Sequence, residues 1–144
     1  MHVAAILTRK GHQIRSVAPT DSLGDVAKHL AEHRIGATLV IDDSGVLAGI
    51  LSERDIVRAI AQDGAAALSR SAADVMTRDL VTGAPTDTVA TMMAVMTERR
   101  IRHVPILDQN RLVGVISIGD VVKARIDDAE LEVESLRGFV SSFS

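Results

Sequence analysis

The chain has 144 residues, a formal net charge of −3, no Cys, Trp or Tyr, and only two Phe, Phe139 and Phe143. Without cysteine there is no disulfide framework, no iron–sulfur cluster and no thiolate nucleophile or metal ligand. A mildly acidic chain with no aromatic side chain before Phe139 lacks the basic footprint of a DNA binder and the stacking platform of a single-strand binder, so nucleic acid is not an expected partner.

Apolar residues make up 47% and charged residues 24%, a balance that builds a folded core rather than a disordered chain. That core must come from Val, Ile, Leu, Ala and Met. No apolar run approaches the roughly 20 residues of a membrane span. The apolar stretch at residues 3–7 is shorter than a secretory core of about 7–15 residues and has no cationic segment before it. The expected setting is the cytoplasm, without membrane contact.

The predicted elements come in two copies. Ala18-Pro19-Thr20-Asp21 returns as Ala84-Pro85-Thr86-Asp87, and Glu32, Arg34 and Ile35 return as Glu98, Arg100 and Ile101, all at an offset of 66. Leu47, Gly49, Ser52, Asp55, Val57 and Ala59 return as Leu112, Gly114, Ser117, Asp120, Val122 and Ala124 at an offset of 65. In copy one, Asp21 is read as the N-cap of a helix carrying Leu23, Val26, Ala27 and Leu30 at helical spacing. Strands over residues 37–41 and 46–51 follow, joined by the turn Asp42-Asp43-Ser44-Gly45, and then a helix from about Asp55. In copy two, Asp87 caps a helix carrying Val89, Met92, Met93 and Met96. Strands over residues 103–107 and 112–116 follow, joined by Asp108-Gln109-Asn110, and a second helix starts near Asp120. The methionines align with plain aliphatic residues and are read as core. The expected fold is mixed α+β (α/β): repeats at residues 1–62 and 75–125, a linker at 63–74, and a helical extension at 126–144. A single repeat of about 60 residues has a marginal core, so the copies are expected to pack as a pseudo-symmetric pair.

Two local motifs carry chemistry. Ser52-Glu53-Arg54-Asp55 and Ser117-Ile118-Gly119-Asp120 both fit the capping box that opens a helix. The same residues suit a ligand: a helix N-terminus offers unpaired N–H groups to phosphate, and a carboxylate beside it can accept both hydrogens of a ribose diol. Both roles stay open on the motif alone. His29-Leu30-Ala31-Glu32-His33 spells a reversed zincin pattern. Its histidines fall beside the buried stripe, toward the polar face, and their repeat partners Val95 and Arg99 cannot ligate zinc together. No metal site, catalytic residue or catalytic cofactor is therefore expected, and no other enzyme signature occurs.

Past Asp120 the helix has no counterpart in copy one. Val122, Ile126, Ala129, Val133, Leu136 and Val140 recur at alternating spacings of four and three, an a/d seam flanked by Glu130, Glu132, Glu134 and Arg137. Self-association through this helix is expected, and Gly138 weakens its last turn.

The tandem repeats, each ending in Gly-apolar-apolar-Ser-x-x-Asp, resemble a pair of CBS (cystathionine β-synthase) domains, the Bateman module. The resemblance rests on Val17 and Pro19, Arg34-Ile35-Gly36-Ala37 and Gly49-Ile50-Leu51-Ser52-Glu53-Arg54-Asp55. In copy two it rests on Val75-Met76-Thr77, Arg100-Ile101-Arg102-His103-Val104-Pro105 and Gly114-Val115-Ile116-Ser117-Ile118-Gly119-Asp120. It implies a regulatory module that binds AMP, ADP, ATP, NAD(H) or S-adenosylmethionine in clefts between the copies, pairs into a homodimer and acts on a protein target. It also implies a crossed site. Asp55 would read one ribose, lined by Thr77, Asp79, Val81, Arg102, His103, Val104 and Pro105. Asp120 would read the other, lined by Lys10, His12, Ile14, Ala37, Thr38 and Leu39. Ile50 and Ile116 would face adenine, and Arg54, Arg58, Arg102, His103 and Lys123 are the expected cations for phosphate. With Arg102 and His103 on its side, the Asp55 site is expected to hold phosphorylated ligands more tightly. The rival reading is a ligand-free dimeric adaptor working through its C-terminal helix.

Overall fold

The computed structural model describes residues 1–11 and 14–142. In chain order the elements are α1 (Val3–Lys10), β1 (Ser16–Val17), α2 (Leu23–His33), β2 (Ala37–Ile41), β3 (Leu47–Ser52), α3 (Glu53–Asp63), a 3₁₀ helix (Gly64–Ser69), α4 (Ala72–Val75), α5 (Val89–Arg99), β4 (His103–Asp108), β5 (Arg111–Ser117) and α6 (Ile118–Ser142). They form two compact units: a continuous unit, Ile14–Leu80, and a split unit, Met1–Gln13 with Val81–Ser144.

In the continuous unit β1 runs parallel to β2, and β2 pairs antiparallel with β3, Leu39 opposite Ile50. Side chains alternate across a strand, so Val40 and Leu51 enter the core with Leu23, Val26, Leu30, Ile56 and Ala59. In the split unit β4 pairs antiparallel with β5, Val104 opposite Ile116. These two pack with Val89, Met92, Met96, Val121 and Ala124, and the aligned methionines are core as expected. The turn at Gln109-Asn110 holds both residues at positive φ, 50° and 64°, the geometry of a two-residue hairpin turn.

Neither core is closed by its own repeat. The continuous unit adds Ala67 and Ala72 from the stretch that reads as a linker, and Met76 from the start of what reads as copy two. The split unit adds Val3, Ile6 and Leu7 from α1, which precedes copy one in the chain but packs with copy two. The two additions match bond for bond. Val3 N–H donates to Asp87 O (2.9 Å), Ala4 N–H to Pro85 O (3.0 Å) and Val89 N–H to Met1 O (2.9 Å). Ala72 N–H donates to Asp21 O (2.7 Å), Ala73 N–H to Pro19 O (3.0 Å) and Leu23 N–H to Arg70 O (2.9 Å). Leu7 and Met76 thereby occupy equivalent places, each lying on the strand glycine of its unit. A Cβ on Gly114 would meet Leu7 Cδ2 at 2.6 Å, and one on Gly49 would meet Met76 Sδ and Thr77 O at 2.7 Å.

The helix caps differ from the sequence reading by one residue. Ser22 and Thr88 are the N-caps of α2 and α5, accepting from Asp25 N–H and Thr91 N–H. Asp21 and Asp87 instead accept from Ala18 N–H (2.9 Å) and Ala84 N–H (2.8 Å), closing the repeated Ala-Pro-Thr-Asp turn ahead of each helix. The histidine pair also differs. His29 and His33 are half-buried rather than on the polar face. His29 Nε2 lies 3.1 Å from Thr38 Oγ1, and the two rings meet edge-on with centroids 4.7 Å apart.

The contact at Gly49 is with backbone, which cannot swing aside as a side-chain end can. We predict that Gly49→Ala lowers the unfolding free energy by about 1–3 kcal/mol, the range for forced overpacking. Gly114→Ala, which meets only a leucine methyl, should cost less. Denaturant unfolding of both variants checks the order.

Candidate functional site

Ser52 with Asp55 and Ser117 with Asp120 stand at one kind of place, the step from the second strand of a repeat into its second helix. In the continuous unit Ser52 ends β3 and caps α3. Its N–H and hydroxyl donate to Asp55 Oδ2 at 2.9 and 3.0 Å, and Asp55 N–H donates back to Ser52 Oγ at 3.3 Å. The capping box is therefore formed. It does not exhaust the carboxylate, since every hydrogen bond to Asp55 among the described residues falls on Oδ2. Beside it, Ile50 and Thr77 exchange backbone hydrogen bonds of 3.0 and 2.8 Å, fixing Thr77 to the free edge of β3.

A groove of about 180 Å³ opens next to Asp55, lined by Arg58, Ala59, Gln62, Arg70, Asp74 and Val75. Arg58 is three residues after Asp55 on the same helix face, as the spacing predicts. Arg70, Gln62 and Asp74 were not legible as site residues. Arg70 is held toward the groove by Asp63, its NH1 2.9 Å from Oδ2, both partly exposed. The only signal for it was a charged residue in the stretch that reads as a linker.

In the split unit the same box forms: Ser117 N–H donates to Asp120 Oδ2 at 2.8 Å and Asp120 N–H to Ser117 Oγ at 3.1 Å. Here the surroundings differ. Lys10 Nζ, at the end of α1, donates to Asp120 Oδ2 at 2.8 Å and to Val115 O at 3.0 Å. Val115 is the repeat equivalent of Ile50, whose carbonyl takes a neutral amide from Thr77. Burial alone would raise the Asp120 pKa. The Lys10 hydrogen bond and charge and the Ser117 backbone and hydroxyl donors outweigh it, and the pKa lies below the ordinary carboxylate value.

The strand register corrects one expected pair. Ile50 is half-buried on its strand, but Ile116 is 0% exposed because it aligns with Leu51, not with Ile50. It points into the core and offers no face to a ligand; Val115 takes the place of Ile50. Val104 is likewise fully buried in the split-unit core, and Pro105 beside it is buried. Val81 and Ile14 are half-buried, and Arg54, Thr77, Asp79, Arg102 and Lys123 are exposed. His103 lies opposite Ser117 and Ala37 opposite Ser52, so each begins the strand beside its own unit's box. Thr38 is buried and its hydroxyl is spent internally, on Arg15 O at 3.2 Å and on His29. His12 lies outside the described residues. His29 has its pKa lowered by burial, then by the nearby His33 and Arg15 charges. No group of three or more His, Asp or Glu able to share a metal ion occurs among the described residues.

Two repeats with matching Ser-x-x-Asp boxes coincide with what family comparison finds: the CBS domain family matches residues 3–62 and 72–127. The chain belongs to the CBS-domain family. It is similar to the CBS-domain protein ATU1752 of Agrobacterium tumefaciens, with 46% identity, 86% of this chain and 92% of that one covered, and a TM-score of 0.85. It is 35% identical over 124 residues to the Arabidopsis thaliana mitochondrial protein CBSX3, covering 83% of this chain but only 60% of that protein's length. Two similar structures are described with ligands. The Pyrobaculum aerophilum protein PAE2072 is complexed with AMP (28% identity, 83% and 89% covered, TM-score 0.74). The CBS pair of MJ0100 is in complex with 5′-methylthioadenosine and S-adenosyl-L-methionine (26% identity, 89% and 98% covered, TM-score 0.77). Among the described residues no helix of this CBS pair is long and apolar enough to cross a membrane.

The Lys10–Asp120 pair gives a pH signature. The folded-state pKa of Asp120 lies below its unfolded value, so its contribution to stability is whole above the unfolded pKa, about 4, and is lost as pH falls through the folded pKa. Both partners are partly exposed, which limits the pair to about 0.5–1 kcal/mol. Lys10→Met should therefore be less stable than wild type by that amount at neutral pH. The gap should close in acid below pH ~4, as followed by urea unfolding against pH.

Proposed function

We propose that this CBS pair is a regulatory module that binds an adenosine-containing ligand, AMP, ADP, ATP or NAD(H), and that Asp55 is its leading ribose acceptor. The observation that carries this reading is the state of the two carboxylates. Asp55 keeps Oδ1 without a hydrogen bond beside a groove bearing Arg58 and Arg70. A ribose hydroxyl donated to Oδ1 would leave the capping box intact, and the groove's two guanidinium groups suit the phosphates that follow. Asp120 Oδ1 also takes no hydrogen bond among the described residues, but its carboxylate is already paired with the Lys10 ammonium on Oδ2, whereas Asp55 has no such cation bound to it. The adenosine-ligand complexes of PAE2072 and MJ0100 support the ligand class.

The proposed action is regulatory, without a catalytic step. A ligand that binds one arrangement of the module better shifts the population toward it, and a protein target that distinguishes the arrangements reads the shift. The exposed apolar face of α6 keeps the ligand-free adaptor as the second reading.

Thermal-shift and calorimetric titrations with AMP, ADP, ATP, NADH and S-adenosylmethionine test the proposal. A true ligand at 100 times its Kd should stabilise by about 2.7 kcal/mol. Asp55→Ala removes a charge-assisted hydrogen bond and should weaken that ligand by roughly 10-fold or more, with a smaller loss for Asp120→Ala. Both variants lose a cap and Asp120→Ala also loses the Lys10 pair, so a stability effect alone would strike Asp120→Ala at least as hard as Asp55→Ala. Equal losses of affinity would remove the special role of Asp55. No binding of any of the five by wild type would leave the adaptor.

A further inference from the structure

Of α6, only the first part is engaged by its own unit. Val121 and Ala124 are buried, Arg9 NH1 lies 3.0 Å from Asp127 Oδ2, and the terminal ammonium of Met1 lies 3.7 Å from Asp128 Oδ2. These contacts fix the rotation of the helix. Successive residues turn by about 100°, so the stripe containing Val122, Ile126, Ala129, Val133 and Leu136 faces away from that core by roughly a third of a turn. Its members are exposed: Val122 43%, Ile126 52%, Val133 46% and Leu136 60%. Beyond Asp128 no side-chain hydrogen bond or ion pair among the described residues ties α6 to the rest of the chain. Leu131, also exposed, falls on the opposite side, in line with Val121 and Ala124.

The occupant of the stripe can be read from its residues. In heptad terms Ile126 and Val133 are a positions, and Val122, Ala129 and Leu136 are d positions. β-Branched residues at a with leucine at d favour two strands over three or four; both a positions here are β-branched, and one of the three d positions, Leu136, is leucine. The flanking charges agree. Arg125 and Glu132 fall at g, Glu130 and Arg137 at e. In a parallel pair each g residue meets the e residue five positions on in the other strand: Arg125 meets Glu130, and Glu132 meets Arg137. Both meetings are attractive. In the antiparallel register that sets Ile126 against Leu136, Glu130 meets Glu130, Glu132 meets Glu132 and Lys123 meets Arg137, all repulsive; the register that sets Val122 against Val133 brings Arg125 to Glu132 and Lys123 to Glu130 but leaves Leu136 without a seam partner. Arg125, Glu130, Glu132 and Arg137 make no ion pair within the chain among the described residues.

We propose that α6 forms a parallel two-stranded coiled coil with α6 of a second copy of this chain. The seam spans only about two heptads, so association is concentration-dependent. This inference is independent of ligand binding.

The absence of native cysteine makes the test clean. In the full-length chain, Ala129→Cys and Leu136→Cys are each treated with a short bis-maleimide, with Glu134→Cys, on the outer side of the helix, as control. The expected result is covalent dimer from both seam variants, little from the control, and a dimer mass by light scattering for the untreated chain. Arg125→Glu should weaken the dimer several-fold, and adding Glu130→Lys should restore it. The proposal is overturned by monomer mass across the concentration series, or by cross-linking of the control as readily as the seam. It is also overturned if cross-links form only when Ile126→Cys is mixed with Leu136→Cys, the antiparallel result. Ala129→Cys changes the seam least, so failure of Ala129→Cys to cross-link counts against the coil whatever Leu136→Cys does.

Discussion

Core closure by exchanged lead-in segments is the constraint on which the molecule depends. A repeat of about 60 residues has only a marginal core of its own, and this chain has almost no aromatic bulk with which to compensate. Each unit completes itself with a segment from ahead of the other repeat: α1 on copy two, α4 and the 3₁₀ helix on copy one. The contact is close because a glycine, Gly49 or Gly114, clears space for Met76 or Leu7. The exchange also decides what stands beside each Ser-x-x-Asp box. The residue after Met76 is Thr77, which pairs by backbone with Ile50; three residues after Leu7 comes Lys10, which pairs by charge with Asp120. The difference between the two carboxylates thus follows from how the cores are closed.

Much of this was legible in the sequence. The repeat offsets, the alternation in the strands and the Ser-x-x-Asp junctions are local signals, and strands at 37–41 and from His103 lie where the pattern puts them. The failures have physical reasons. Asp21 and Asp87 look like caps because Asp caps helices, but a three-residue turn claims their carboxylates first. Ile116 was set beside Ile50 although the offset of 65 pairs it with Leu51, and a one-residue slip in a strand exchanges its two faces. The exchange itself was hidden because its offset is neither 66 nor 65. Met1 to Thr8 correspond to Arg70 to Thr77, and only Ala4 with Ala73 and Thr8 with Thr77 are identical. Packing partners distant in sequence, such as Lys10 and Asp120, leave no periodic trace.

The missing aromatics bear on the ligand as well as on the core. A flat purine is most simply held between rings, and none is on offer before Phe139. The buried strand residues Val104 and Ile116 are committed to the interior, so in the proposed function apolar contact with a base would fall to half-buried side chains such as Ile50, Val81 and Val115. Aliphatic contacts of that kind are weakly selective among bases. In the proposed site selectivity would then rest on directed bonds: Asp55 Oδ1 for the sugar, and Arg58 and Arg70 for whatever follows it. Such a site distinguishes ligands by charge and by the ribose diol more than by the shape of the base. That is the behaviour a sensor needs if it is to weigh one phosphorylation state of a nucleotide against another.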